Sequence, residues 1–437
     1  MLLSLKMLTK WLIFSTVAAF FSILLMISFR FGLSSVDDVA RNLDIAIYFL
    51  PPLAALLCGL FVYKFEPGSA GEGIPSYIKA INQDGGWLSA KVTFFKYIAG
   101  LITLGFAGSG GIVGPLGRVN AGIMSLVMKP LKSLGFREED RRTSAICGVA
   151  AIFAVTFHTP IAGGLFAVEV LKRAKMGYLD LFPSILSSCF TVAMCKFFSV
   201  DPFYSIYVED RFLPSAAYGW VTLIAFTSGV GGLFFSEFYA WFRTFVGRDL
   251  LSTKRLFASS LVVSLLGFAI SPLILGTSFE LFEKISRGEL VSLFPMESTW
   301  LLALSLFILA IAKTLSNCIT VGAGMSAGFA GPAFLIGLLI AAGFAAIAGI
   351  DTQSSTYYAF LAAGMSGMLA ATMNVPLAAA IMGAEVFGSQ YSFPAALSAI
   401  LAFQVTRKYT IYDLQIEHLA PAPEESQAEP EPTKKAS

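Results

Sequence analysis

Residues 147–170 read CGVAAIFAVTFHTPIAGGLFAVEV, and residues 363–386 read AGMSGMLAATMNVPLAAAIMGAEV, 216 positions further on and aligned without a gap. Gly148/Gly364, Ala154/Ala370, Thr156/Thr372, Pro160/Pro376, Ala162/Ala378, Glu169/Glu385 and Val170/Val386 coincide. Upstream, Ser109-Gly-Gly111-Ile-Val-Gly114-Pro115 matches Ser326-Ala-Gly328-Phe-Ala-Gly331-Pro332 at an offset of 217. Chance likeness in Gly/Ala-rich sequence does not account for paired motifs at a nearly constant offset. The chain therefore reads as two halves of like design, about 45–205 and about 215–415. Such repeats often have inverted topology and place a site near the bilayer midplane between them.

Composition sets the surroundings. Of 437 residues, 56% are hydrophobic and 13% charged, about half the charge of a soluble domain. A water-soluble enzyme is excluded, and at roughly 20 residues per crossing the apolar content allows ten or more spans. Apolar stretches such as 92–107, 356–372 and 376–387 are too short to cross, and interrupted segments are tolerated at depth only where protein or a wet cavity surrounds them. The fold class expected is an all-α polytopic membrane protein. Lys6 and Lys10 precede the apolar run Trp11–Ser28, read as a retained first helix. Charge clusters at Arg137–Arg142, Lys172–Lys175, Arg243–Arg255 and Arg407–Lys408 mark loops, the more basic ones favouring the cytoplasmic side. One membrane domain, 1–419, is followed by a polar tail, 420–437, with too few apolar residues to build a core.

A net charge of +2 without a basic stripe gives nucleic acid no footprint. Cys58, Cys147, Cys189, Cys195 and Cys318 have no CxxC spacing, and His158 and His418 are the two histidines. Neither a disulfide framework nor a metal centre is indicated, and no cofactor is expected. The chemistry lies in the duplicated Gly-Pro segments. Proline in a helix's first turn forfeits no needed hydrogen bond, and a helix beginning there presents N–H groups and a positive dipole end. Buried at mid-membrane, two such ends require an anion or another acceptor. Partial charges suit a permeant anion, which must also leave.

With these motifs in place the chain resembles the CLC family of chloride channels and chloride/proton antiporters, over roughly residues 45–415. Gly71-Glu72-Gly73-Ile74-Pro75 is similar to the family's GSGIP, followed by Lys96 where the family often has lysine. Gly111-Ile112-Val113-Gly114-Pro115 falls at GREGP, Gly328-Phe329-Ala330-Gly331-Pro332 at GxFxP, and Ile411-Tyr412-Asp413 at the tyrosine of the final helix. The resemblance implies a homodimer with one pore per subunit, each an inverted repeat of about eighteen helices, many short or re-entrant. Anions, chloride foremost, would be bound by Gly73, Ile74, Gly111, Ile112, Val113, Gly114, Gly328, Phe329, Ala330, Gly331 and the Tyr412 hydroxyl. From the residues alone, Tyr412 also reads as an interfacial aromatic.

Departures from the family pattern bear on mechanism. Val113 stands where the antiporters carry their external gating glutamate, and Val170 where the internal proton glutamate falls. Glu169 matches a neighbouring acid, and its twin Glu385 points to scaffold pairing. With neither proton carrier present, a passive channel in a bacterial-type plasma membrane is the leading expectation. Glu72 replaces the serine of GSGIP. An ionised carboxylate only accepts, so Glu72 is a helix cap, a pH-sensitive gate or a relocated proton carrier, and the three remain open. A coupled transporter using Glu72 is the alternative, and a non-conducting membrane scaffold or sensor the third. Ala330 at the family's phenylalanine position leaves two outcomes, a wider path or one refilled by Phe329. His158, opposite Asn374, reads either as a turn residue or as a titratable sensor.

Overall fold

The computed structural model describes residues 2–42, 46–131, 136–171, 177–202, 217–247, 252–294 and 298–412. The cluster Lys172–Lys175, Asp413 and the tail 420–437 lie outside them. The first half contains α1 (Leu2–Asn42), α2 (Leu50–Leu57), α3 (Tyr63–Phe65), α4 (Ile74–Asn82), α5 (Ala90–Gly105), α6 (Val113–Leu131), α7 (Asp140–Phe157), α8 (Ala162–Glu169) and α9 (Tyr178–Phe197). The second contains α10 (Ala217–Val246), α11 (Thr253–Ala269), α12 (Phe279–Ser286), α13 (Leu290–Leu293), α14 (Thr299–Gly322), α15 (Ala330–Ile347), α16 (Ser355–Met373), α17 (Pro376–Phe387) and α18 (Ser392–Thr406). Among the described residues the architecture is all-α.

The repeat read from the sequence is a structural repeat. Helices α7 and α16 both end on a left-handed residue, His158 at φ 54° and Asn374 at φ 56°, types that tolerate this region better than most. Both are followed by short helices, α8 and α17. Gly148 on α7 lies against the Asn120 carbonyl of α6, and Gly364 on α16 against the Gly337 carbonyl of α15. A side chain at either glycine would separate its helix pair. Around these pairs, α1 packs on α5, α6, α7 and α9, as α10 packs on α14, α15, α16 and α18.

Contacts between the halves are reciprocal. Gly111 N donates to Gly328 O at 2.9 Å and Gly328 N to Gly111 O at 2.7 Å, an antiparallel pair. The Glu169 carboxylate accepts from Leu377 N (3.0 Å) and Ala378 N (2.7 Å) at the start of α17. Its twin Glu385 accepts from Ile161 N (2.8 Å) and Ala162 N (2.9 Å) at the start of α8. Exchanged pairs of this kind, i to j and j to i, are the signature of a twofold relation.

Six helical segments among the described residues are long and apolar enough to span a bilayer: Met7–Val36, Ile47–Phe65, Tyr178–Phe197, Ala217–Val246, Thr299–Gly322 and Ala330–Ile347. Helices shorter than 18 residues, such as α5 and α11, lie outside this number, and much apolar sequence goes into protein-covered elements. Helix α8 is buried along nearly all its length, and every residue of α16 is buried except Thr356. Helix α1 runs well beyond the apolar stretch 11–29, from Leu2 to Asn42.

Candidate functional site

The two Gly-Pro segments meet at the centre of the molecule. Gly111 and Gly328 form the antiparallel pair, so α6 and α15 begin next to one another at Val113 and Ala330. The first backbone bonds of these turns run from Leu116 N to Ile112 O (3.1 Å) and from Ala333 N to Phe329 O (2.9 Å). The N–H groups of Val113, Gly114, Ala330 and Gly331 precede them and have no carbonyl one turn back. Pro115 and Pro332 bring no donor of their own. Ile112, Val113, Phe329 and Ala330 are all buried.

A third helix start joins them. Gly71, at φ 68°, donates its N–H to Gly324 O at 2.7 Å and turns the chain into α4. A Cβ at Gly73 would overlap the Gly114 carbonyl, and one at Gly114 would overlap Glu72 Oε1. Glu72 therefore lies against the first turn of α6. Its Oε2 accepts from Ile74 N at 2.5 Å, capping α4, while Oε1 is buried with no hydrogen-bond partner. A capping hydrogen bond, one of the three readings left open for this residue, is present, with a spare acceptor directed at Gly114.

Tyr412 is 1% exposed, and its hydroxyl has no hydrogen-bond partner. It is close enough to Glu72 and Tyr239 to interact with them electrostatically. Phe329 packs on Tyr239 (4.9 Å between centroids), Phe235 (5.5 Å) and Tyr412 (6.5 Å). Phe329 thus packs among aromatic rings on the side of Tyr239 and Tyr412. A cavity of about 350 Å³, lined in part by Gly71, Glu72, Pro75, Tyr239 and Arg243, reaches this group.

Two buried lysines brace the site, one of which the sequence reading passed over. Lys96 Nζ donates to Ser69 O (3.1 Å), Ala70 O (3.2 Å) and Gly71 O. Three carbonyls cannot donate in return, so all three ammonium protons are used. Lys313, 217 residues on, is its twin. It donates to Ile274 O (3.0 Å), Gly276 O (3.0 Å), Ser278 Oγ (2.7 Å) and Ser109 Oγ (3.0 Å). The constant offset that relates Gly111 to Gly328 was the available signal for it.

Of the remaining residues singled out, Val170 is fully buried at the end of α8, an apolar side chain among apolar neighbours. Glu169 and Glu385 cap helices of the opposite half rather than reach the helix starts. His158 closes α7, with its Nε2 buried and unpartnered and a hydrogen bond to the Val200 backbone. Asn374 donates to Tyr409 O at 2.8 Å in the equivalent place. Among the described residues no group of three or more His, Cys, Asp or Glu could hold a metal ion.

Known proteins resemble this chain in sequence and fold. An uncharacterised protein of Methanocaldococcus jannaschii is 24% identical over 375 residues, 83% of this chain and 86% of that one. A "Chloride/fluoride channel protein" of Pseudomonas syringae pv. tomato is 27% identical over 303 residues, covering 66% of this chain and 62% of the relative. The crystal structure of a CLC-type fluoride/proton antiporter superimposes with a TM-score of 0.77 at 20% identity, over 93% of this chain and 98% of the other. The family model described as "Voltage gated chloride channel" matches residues 54–407. The chain belongs to that family of membrane channels and transporters.

Proposed function

We propose that the protein is a passive anion channel, conducting chloride-like anions past the amides of Ile112–Gly114, Phe329–Gly331, Gly73 and Ile74 and the Tyr412 hydroxyl; the N–H groups of Gly111 and Gly328, expected from the sequence to bind anions, are taken by each other's carbonyls. Glu72 is its gate. The observation carrying this reading is the Glu72 carboxylate itself, seated between the starts of α4 and α6 with one oxygen unpaired. It is a tethered anion in the space a permeant anion would use, and it must withdraw or be neutralised before one passes. Passive flow is supported by Val113 and Val170, neither of which can carry a proton. We read residues 1–419 as one membrane domain with repeats at about 45–205 and 215–415, working as a homodimer in the bacterial inner membrane without enzymatic activity.

A second reading, coupled anion/proton transport, draws on the same unpaired Oε1, since a carboxyl there that gains a proton as an anion arrives would link the two fluxes. Purified protein in chloride-loaded liposomes, with valinomycin carrying potassium, separates them. Passive conduction gives chloride efflux with no proton movement, and Glu72→Ser or Glu72→Gln speeds it. Stoichiometric proton movement that Glu72→Gln abolishes would replace the channel with a coupled transporter.

A further inference from the structure

Among the described residues five charged side chains are buried: Glu72, Lys96, Arg118, Asp180 and Lys313. Asp180 is paired with Arg142, and the two lysines are engaged by the loop oxygens described above. Arg118, on α6, has no such set of partners. Its Nη1 donates to Thr93 Oγ1 at 3.1 Å, and that hydroxyl passes its own proton to Ser89 O at 2.7 Å. Its Nε is buried without a hydrogen-bond partner, and among the described residues it forms no ion pair. A guanidinium is not deprotonated in proteins, so Arg118 keeps a full positive charge inside the molecule. Charges at membrane depth are expensive and mark function.

The scaffold itself does not ask for a cation here. At the offset of 217 that relates the central glycines, Arg118 corresponds to Leu335, Thr93 to Ala310 and Gly122 to Leu339. All three are buried, so α14 and α15 pack apolar side chains where α5 and α6 lodge a guanidinium. Gly122 makes the room, since a Cβ there would lie 2.1 Å from Thr93 Oγ1 and 2.9 Å from Arg118 Nη1. The carboxylate at 72 is equally confined to the first half. The loop before α12 also turns on a glycine, Gly276 at φ 60°, which donates to Ala107 O at 2.8 Å as Gly71 does to Gly324 O. One residue on, it carries Thr277. Two departures of opposite sign thus fall in the same half, and they adjoin. Gly73, next to Glu72, would bring a Cβ to 2.9 Å from Arg118 Cβ.

We propose that Arg118 is the electrostatic counterweight to Glu72, a positioning residue that keeps the starts of α4 and α6 attractive to anions in the presence of that carboxylate. Arg118 is four residues, about 6 Å, along α6 from Gly114, against which Glu72 lies. Lys96, within electrostatic range of both, shares a face of α5 with Thr93. Arg243, on the cavity wall, is exposed, and salt screens it more than it screens the buried pair. Through an effective dielectric of about 20, a unit charge roughly 10 Å away changes an anion's affinity by about tenfold. This inference rests on the anion-conducting reading above.

Chloride efflux from liposomes at graded chloride tests it, giving the half-saturating concentration and the maximal rate separately. Arg118→Gln should raise the half-saturating chloride about tenfold with the maximal rate little changed, and Arg118→Lys should keep it near wild type. Glu72→Gln should lower it, and combining Glu72→Gln with Arg118→Gln should return it towards wild type. Thr93→Asp sets a carboxylate on the guanidinium and should imitate Arg118→Gln with Arg118 in place, whereas Thr93→Asn should not. A folding defect in Arg118→Gln therefore cannot decide the matter. Half-saturation unmoved by Thr93→Asp, or raised as much by Arg118→Lys as by Arg118→Gln, overturns the proposal. A wild type passing no chloride overturns the conducting reading with it.

Discussion

The crossed caps of Glu169 and Glu385 give the most direct measure of what holds the halves together. Glu169→Ala removes both acceptors from the start of α17, leaving the N–H groups of Leu377 and Ala378 without partners. Each buried unsatisfied donor costs about 1–3 kcal/mol, and the lost anion at a helix start adds about 0.3–1 kcal/mol. Leu377 is 46% exposed, so its donor belongs at the low end of that range and the total is roughly 2–5 kcal/mol. Glu169→Gln should cost more than half as much, because its amide presents one acceptor and turns an N–H₂ towards the second donor. Glu385→Ala and Glu385→Gln should behave alike at α8. Each carboxylate stands on the helix that the other caps, so the double variant should deviate from additivity by about 0.5–3 kcal/mol. Reversible unfolding in mixed micelles, followed by tryptophan fluorescence, reads these differences. Gln variants as stable as wild type, or an additive pair, would refute this account of the caps.

Gly73→Ala should lower the thermal midpoint and the anion flux together, because its Cβ overlaps the Gly114 carbonyl and lies 2.9 Å from Arg118 Cβ, an overpacking cost of about 1–3 kcal/mol. Gly71→Ala meets no atom within 4 Å and should cost only the left-handed backbone penalty of about 1–2 kcal/mol, visible in the same melting measurement. Tyr412→Phe deletes a buried hydroxyl with no partner, so its unfolding midpoint should hold or rise while chloride affinity, measured by calorimetric titration, falls. Asn374→Val should destabilise by about 2 kcal/mol, since a β-branched residue resists positive φ, whereas Asn374→Gly should lose only the bond to Tyr409 O; thermal unfolding of the two separates backbone strain from that bond.

The duplicated Gly-x-x-Gly-Pro segments and the 147–170/363–386 match were enough to anticipate two apposed helix starts, because glycine and proline act on the backbone directly. Side-chain destinations were less legible. The scaffold role of Glu169 and Glu385 followed from their being twins, yet that each caps the other half is a long-range fact no local pattern encodes. Glu72 read almost equally well as cap and gate because a carboxylate beside a helix start suits either, and the structure puts one oxygen on Ile74 and the other against Gly114. Lys313 escaped notice inside an apolar run, where its significance depends on loops some 35 residues upstream. Which apolar stretches face lipid was not legible, because α8 and α16 are coated by protein, and a helix buried all round looks as hydrophobic as one facing lipid.

At the middle of the molecule Gly111 and Gly328 join the halves by main-chain hydrogen bonds, and the Asn317 side chain adds its amide to Gly328 O and Ser109 O. Residues 112, 113, 329 and 330 contribute no side-chain atom to the two glycine hydrogen bonds, although all four are buried beside them. Glu72 and Val113, both in the first half, stand beside this joint without taking part in its hydrogen bonds. Side chains beside such a joint are removable fittings, and the same frame should accept Val113→Glu as readily as it has accepted Glu72.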